Sequence, residues 1–130
     1  MYAFDIERPG TVAEAASALG GEAQALSGGQ TLIPTLKARL ASPSKLVSLS
    51  GVAEMKGICS ADGVLTIGGA TTHAEVAADG SYKGLSELAS HIGDPAVRNR
   101  GTIGGSIANN DPAACYPAGF RPASLHCQAA

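Results

Sequence analysis

The chain has 130 residues, 17 of them glycine and 24 alanine, with nine basic against eleven acidic residues for a net charge of −2. That length suits one domain with a thin core, and the near-balanced charge argues against general nucleic-acid binding. No G-X-Y period runs through the glycines, which excludes collagen, and no apolar run reaches membrane-spanning length.

Tyr2 to Ile6 reads as a short strand closed by Pro9-Gly10. Thr11 and Glu14 form a T-x-x-E capping box ahead of a helical stripe of Val12, Ala15, Ala16 and Leu19, which Gly20-Gly21 stops. Ala25-Leu26 suggests a brief strand running into Ser27-Gly28-Gly29-Gln30-Thr31. Leu32, Leu36 and Leu40 then recur at helical spacing, with Pro34 tolerated only in the first turn. Lys45 to Ser50 reads as a strand, and Ser60-Ala61-Asp62-Gly63 as the turn of a hairpin between 57–59 and 64–68. Thr72 with Glu75 forms a second capping box, and Leu85, Leu88 and Ile92 mark a further helix ended by Gly93. From Pro95 the chain reads as irregular through Thr102-Ile103-Gly104-Gly105-Ser106 to the polar Asn109-Asn110-Asp111-Pro112. Small strands and helices alternate, a mixed α+β pattern.

Eight of the glycines lie in four pairs: Gly20-Gly21, Gly28-Gly29, Gly68-Gly69 and Gly104-Gly105. The second and fourth carry flanking hydroxyl residues and look alike. Glycine leaves the backbone open to a ligand and lets successive N–H groups point into one concavity, which suits a pyrophosphate at a helix start. Tight turns or bulges recruit the same residues. No G-x-G-x-x-G and no P-loop pattern occurs, so the residues alone lead to a phosphate-bearing ligand between two glycine loops, with simple turns as the alternative.

The stretch Leu26-Ser27-Gly28-Gly29-Gln30-Thr31-Leu32-Ile33-Pro34, continuing through Lys37-Ala38-Arg39-Leu40-Ala41, resembles the FAD-binding (medium, flavoprotein) subunits of molybdenum hydroxylases. That family includes the medium subunit of aerobic carbon monoxide dehydrogenase and the flavin domain of xanthine dehydrogenase. Asn99-Arg100-Gly101-Thr102-Ile103-Gly104-Gly105-Ser106-Ile107-Ala108, Ile67-Gly68-Gly69-Ala70-Thr71-Thr72-His73-Ala74-Glu75 and Asp111-Pro112-Ala113-Ala114 are similar to further motifs of the same family, in order, from Phe4 to about Ala118.

The resemblance implies a FAD-binding fold of the p-cresol methylhydroxylase/vanillyl-alcohol oxidase type, with α+β subdomains at about 1–52 and 53–118. FAD contacts would fall on Ser27, Gly28, Gly29, Gln30 and Thr31, on Thr102, Ile103, Gly104, Gly105 and Ser106, and on Asp111, mainly through backbone donors. It further implies a molybdenum-cofactor large subunit and a 2Fe-2S small subunit as partners. Electrons would pass from iron–sulfur clusters through FAD to an external acceptor, so no acid–base pair on this chain is needed. The alternative is a truncated remnant or partner-binding module that holds no flavin.

Other residues carry weaker signals. His73 reads as a helix-start residue rather than a catalytic one. Arg98 and Arg100 either add charge beside the second glycine segment or, the favoured reading, make structural or surface pairs. Asp111 either caps the segment after it or meets a ribose or adenine group. Cys115 stands where several relatives have an aspartate, Tyr116 either shields an aromatic ring or packs, and Cys59 reads as a small apolar strand residue. Without a signal-like start, the three cysteines are expected as reduced thiols in the cytoplasm, and their spacing fits no common metal pattern. Gly119 and Pro122 oppose a helix. Residues 119–130 therefore read as an atypical tail, with a truncated or frame-shifted end as the expectation and no C-terminal completion of the fold.

Overall fold

A computed structural model describes residues 1–120 of the chain; the expectation for 121–130 lies outside the described residues. The first half is a β-α-β-α-β unit: β1 (Asp5–Glu7), α1 (Val12–Ala18), β2 (Ala23–Leu26), α2 (Leu32–Lys37) and β3 (Lys45–Ser48). The sheet order is β1-β3-β2 and both pairings are parallel, with Ile6 opposite Leu46 and Gln24 also opposite Leu46. As the central strand of a parallel sheet, β3 carries an unbroken buried run instead of an alternating one. Leu46 and Val47 are accordingly both fully buried. Val47 packs with Ala15 of α1 and with Val52 in one hydrophobic cluster.

Local sequence explains most of these boundaries. The Thr11 hydroxyl accepts the Glu14 N–H at 3.2 Å while the Glu14 carboxylate accepts the Thr11 N–H, so the capping box that starts α1 is complete. Pro34 sits in the first turn of α2. That helix ends earlier than the leucine spacing predicts: Arg39 adopts φ +59°, and Leu40 leaves the stripe and is 79% exposed.

The second half begins with a 3-10 turn at Ala53–Met55 and the antiparallel hairpin of β4 (Ile58–Ala61) and β5 (Val64–Ile67). Asp62 and Gly63, both at positive φ, form its two-residue turn. Cys59 is exposed on β4, not packed as its apolar reading suggested. Five helices complete the described chain: α3 (His73–Ala78), α4 (Lys83–Ser90), α5 (Pro95–Arg98), α6 (Ile103–Asn109) and α7 (Tyr116–Phe120). Val76, Leu85, Ala89, Ile103 and Tyr116 form a second hydrophobic cluster, packed against Ile58, Leu65 and Ile67 of the hairpin.

Three of these helices depart from the sequence reading. The segment expected to be irregular from Pro95 contains α5, started by the Asp94 carboxylate accepting the Val97 N–H at 2.8 Å with proline at the first helical position. The second glycine pair lies in the first turn of α6, not in a loop, because Thr102 caps that helix through its hydroxyl. Gly119 does not prevent α7: a β-carbon there would lie 2.8 Å from Leu88 Cδ1, so glycine lets α7 pack closely on α4.

Candidate functional site

The two halves meet where the first glycine pair follows β2 and the second opens α6. A β-carbon on Gly28 would overlap the Arg100 carbonyl and lie 2.7 Å from Gly101 Cα. One on Gly104 would lie 2.8 Å from Gly69 Cα. Both glycines are therefore required for backbone to approach backbone. The sequence pattern suggests that they clear space for a ligand; their first physical task is close backbone packing, Gly28 between the two halves of the chain and Gly104 within the second half. Ser27 Oγ and Thr102 Oγ1, at 2.7 Å, add a hydrogen bond across the same contact.

A cleft of about 780 Å³ opens over this junction, within the size range of small-molecule and cofactor sites. Ser27, Gly28, Gly29, Gln30, Thr31, Thr102, Gly104, Gly105, Ser106 and Asp111 all line it. Ile103 does not line it: its side chain is buried in the second hydrophobic cluster. A helix residue one position after the cap turns inward here, which the flat reading of the motif does not resolve.

The two glycine segments differ in what their backbones offer. In the second, every amide after the cap is engaged within the protein. Ile103 N–H donates to Thr71 O at 3.0 Å, Gly104 N–H to Gly69 O at 2.9 Å, Gly105 N–H to Thr102 Oγ1 at 3.1 Å and Ser106 N–H to Thr102 O at 3.0 Å. The Ile103 and Gly104 amides dock α6 onto Thr71 and Gly69, and the Gly105 and Ser106 amides close its first turn on Thr102, so this segment's donors are already engaged within the protein. In the first segment, by contrast, the N–H groups of Gly28, Gly29, Gln30 and Thr31 meet no acceptor among the described residues. The Gln30 side chain folds back, its Nε2 donating to Gly28 O at 3.2 Å. Consecutive unpaired amides beside a serine hydroxyl form a cradle for an anion, so the residues present fit a diphosphate.

The remaining candidates sort clearly. Asp111 accepts the Ala113 N–H at 2.8 Å, so it stabilises the turn after α6 while lining the cleft. Arg98 donates to the carbonyls of Ile92 (3.3 Å) and Gly93 (2.8 Å), which makes it a structural residue at the end of α4. Arg100 is exposed and, with Lys56, borders a second groove that shares Ser27, Gly28, Gly29 and Thr102 with the cleft. Cys115 is an exposed free thiol on the cleft wall. Tyr116 is fully buried and packs in the core. Its phenol is held above its ordinary pKa, first by burial and then by the neighbouring Cys115.

His73 is the helix-start residue that the capping box predicts, and its ring turns inward to the cleft. It opens α3, is 5% exposed, lines the cleft, and sets Nδ1 2.7 Å from the Tyr116 hydroxyl. Burial holds its imidazole below the ordinary pKa. The Thr72-x-x-Glu75 box announces the helix start, but nothing in the local sequence announces that the ring turns inward.

A mixed α and β fold whose cleft carries a run of unpaired amides is the architecture of a nucleotide-binding class of protein. The chain belongs to a particular family within it, the FAD binding domain in molybdopterin dehydrogenase, whose family model matches residues 2–124. FAD is the cofactor of that family. The chain is 39% identical over 122 residues to the carbon monoxide dehydrogenase medium chain of Afipia carboxidovorans, covering 88% of this chain and 42% of that one. It is 40% identical over 102 residues to the 6-hydroxypseudooxynicotine dehydrogenase complex subunit alpha of Paenarthrobacter nicotinovorans, covering 75% and 34%. Among solved structures, a Cu,Mo-CO dehydrogenase chain superposes with TM-score 0.83 at 37% identity, covering 88% of this chain and 43% of that one. Quinoline 2-oxidoreductase from Pseudomonas putida 86 follows the same path with TM-score 0.82 at 36% identity, covering 85% and 41%. The chain thus spans about two fifths of the length of the relatives it matches. Among the described residues, no helix is long and apolar enough to cross a membrane.

Proposed function

We propose that the chain holds FAD in the junction cleft and serves as the electron-transferring flavin component of a molybdenum hydroxylase-type oxidoreductase. The observation that carries this reading is the run of unpaired amides at Gly28–Thr31 on the cleft floor, in a chain of the FAD-binding family. These amides and Ser27 hold the diphosphate. Thr102, Gly104, Gly105 and Ser106 shape the opposite wall, with their own amides fixed in α6, and Asp111 stands at the rim toward the sugar. The fold is of the p-cresol methylhydroxylase/vanillyl-alcohol oxidase type, its lobes dividing near residue 52. Bound FAD supplies the redox chemistry, accepting electrons from iron–sulfur clusters and releasing them to an external acceptor. The partners in this reading are a molybdenum-cofactor large subunit and a 2Fe-2S small subunit.

The test is a titration of the 130-residue chain with FAD, followed by absorption difference spectra and flavin fluorescence. Saturable binding with a resolved shift of the flavin bands is the expected result. A chain that stays colourless after reconstitution and washing overturns the proposal and leaves a flavin-free remnant as the reading.

A further inference from the structure

His73 occupies a place in the cleft that the glycine motifs do not describe. Gly28 rests on Gly101 at its α-carbon, and Gly101 in turn rests on the imidazole: a β-carbon on Gly101 would lie 2.8 Å from both His73 Cδ2 and Nε2. The His73 N–H also donates to the Gly101 carbonyl at 2.9 Å, so ring and backbone grip the same residue. Gly28, Gly101 and His73 therefore form a continuous row along the cleft floor, leading from the unpaired amides to the imidazole edge.

The two ring nitrogens have different surroundings. Nδ1 meets the Tyr116 hydroxyl at 2.7 Å inside the core. Nε2 has no hydrogen-bond partner among the described residues, yet no buried side-chain nitrogen or oxygen there is sealed off without one, so Nε2 opens to the cleft. The sense of the Tyr116 bond comes from acid–base chemistry. A phenol O–H is a stronger donor than an imidazole N–H, and a neutral imidazole nitrogen is a stronger acceptor than a phenol oxygen. That ranking favours Tyr116 O–H donating to Nδ1, an arrangement that places the ring proton on Nε2, at the cleft. Burial of both groups favours these neutral forms.

Resting on the FAD reading above, we infer that His73 is a cofactor-binding residue, donating Nε2–H to an oxygen of FAD's diphosphate–ribityl portion, and that Tyr116 is the positioning residue that fixes its tautomer. The row of contacts also ties α7, through Tyr116, to the floor on which the flavin nucleotide lies.

The experiment uses the 130-residue chain labelled with 15N-histidine, its long-range 1H–15N spectrum assigned by comparison with His73→Gln. The expected spectrum shows His73 as the Nε2–H tautomer, with Tyr116→Phe moving it toward a mixture and saturation with FAD shifting Nε2. FAD titrations run alongside. His73→Leu is expected to weaken binding about tenfold or more, the loss of one hydrogen bond to a charged or polar acceptor, and His73→Gln, which keeps an N–H donor, to recover most of it. An Nδ1–H tautomer, an unmoved Nε2 signal at saturating FAD, or undiminished FAD affinity in His73→Leu overturns the inference while leaving FAD binding intact. Absence of FAD binding by the unmodified chain overturns the functional reading as well. If His73→Leu does not fold, the tautomer and the Tyr116→Phe comparison still decide.

Discussion

A β-carbon at Gly28 would overlap the Arg100 carbonyl, whereas at Gly20 nothing lies within 4 Å. Overpacking of this kind costs about 1–3 kcal/mol, and more when the obstacle is backbone. Gly28→Ala is therefore expected to melt well below the unmodified chain, and Gly20→Ala to stay within about 0.5 kcal/mol of it, as surface substitutions do. Equal melting temperatures for the two variants would show that the lobes do not meet at Gly28. A glycine-to-valine change in the first glycine segment would for the same reason break the junction before it blocked a cofactor. His73 makes a second residue-scale prediction. Its folded pKa lies below the ordinary value of 6.5 because burial disfavours the imidazolium. Below pH 6.5 the unfolded chain takes up the proton first, so stability is full above that pH and falls as the pH drops toward the lowered folded value. Denaturant midpoints between pH 7.5 and 5 should decline, and His73→Gln should flatten the decline.

At the scale of elements, short helices of six to eight residues have little intrinsic stability, so their caps matter. Glu75 accepts the Thr72 N–H and hydroxyl, each at 2.7 Å, and the Thr72 hydroxyl accepts the Glu75 N–H at 3.3 Å. The Glu75 carboxyl is held below its ordinary value of 4.5, first by the Thr72 backbone N–H, then by the Thr72 hydroxyl, with Lys56 adding a smaller pull. Its contribution is present above pH 4.5 and lost as the pH falls through the lowered folded value. Thr72→Ala should cost about 0.5–2 kcal/mol at neutral pH, and the gap from the unmodified chain should narrow in acid, as read from urea unfolding at both pH values. The same residues carry α3 to the junction, since Thr72 bridges Thr102 and His73 binds Gly101. Loss of the cap should therefore also weaken FAD binding.

For the molecule as a whole, two separate hydrophobic clusters are joined through residues 27–29, 69–73 and 100–104. The cleft exists only where these three segments converge. A ligand that binds this junction and not the unfolded chain stabilises by mass action, about 2.7 kcal/mol at a hundred times its Kd. FAD at that concentration is expected to raise the melting temperature of the 130-residue chain by several degrees, with Ser27→Ala reducing the rise because it removes a hydroxyl that the proposed reading places on the diphosphate. A melting temperature indifferent to FAD would contradict the cleft as the cofactor site.

The sequence by itself determined the local grammar: both capping boxes, the Asp62-Gly63 hairpin turn, the helix stop at Gly20-Gly21 and the family motifs that run through both glycine segments. These are short-range effects, set by residues three or four apart. Tertiary structure alone decided the rest. It drew Ile103–Ser106 into a helix capped by Thr102, engaged that segment's amides with Gly69, Thr71 and Thr102, turned Ile103 into the core, and left the Gly28–Thr31 amides without an acceptor among the described residues. It also made Gly28 and Gly104 contacts between backbones and brought His73, 43 residues from Tyr116, into the cleft floor. Whether an amide is free or a glycine is crowded depends on which distant segment lies against it, and that is settled only when those segments pack.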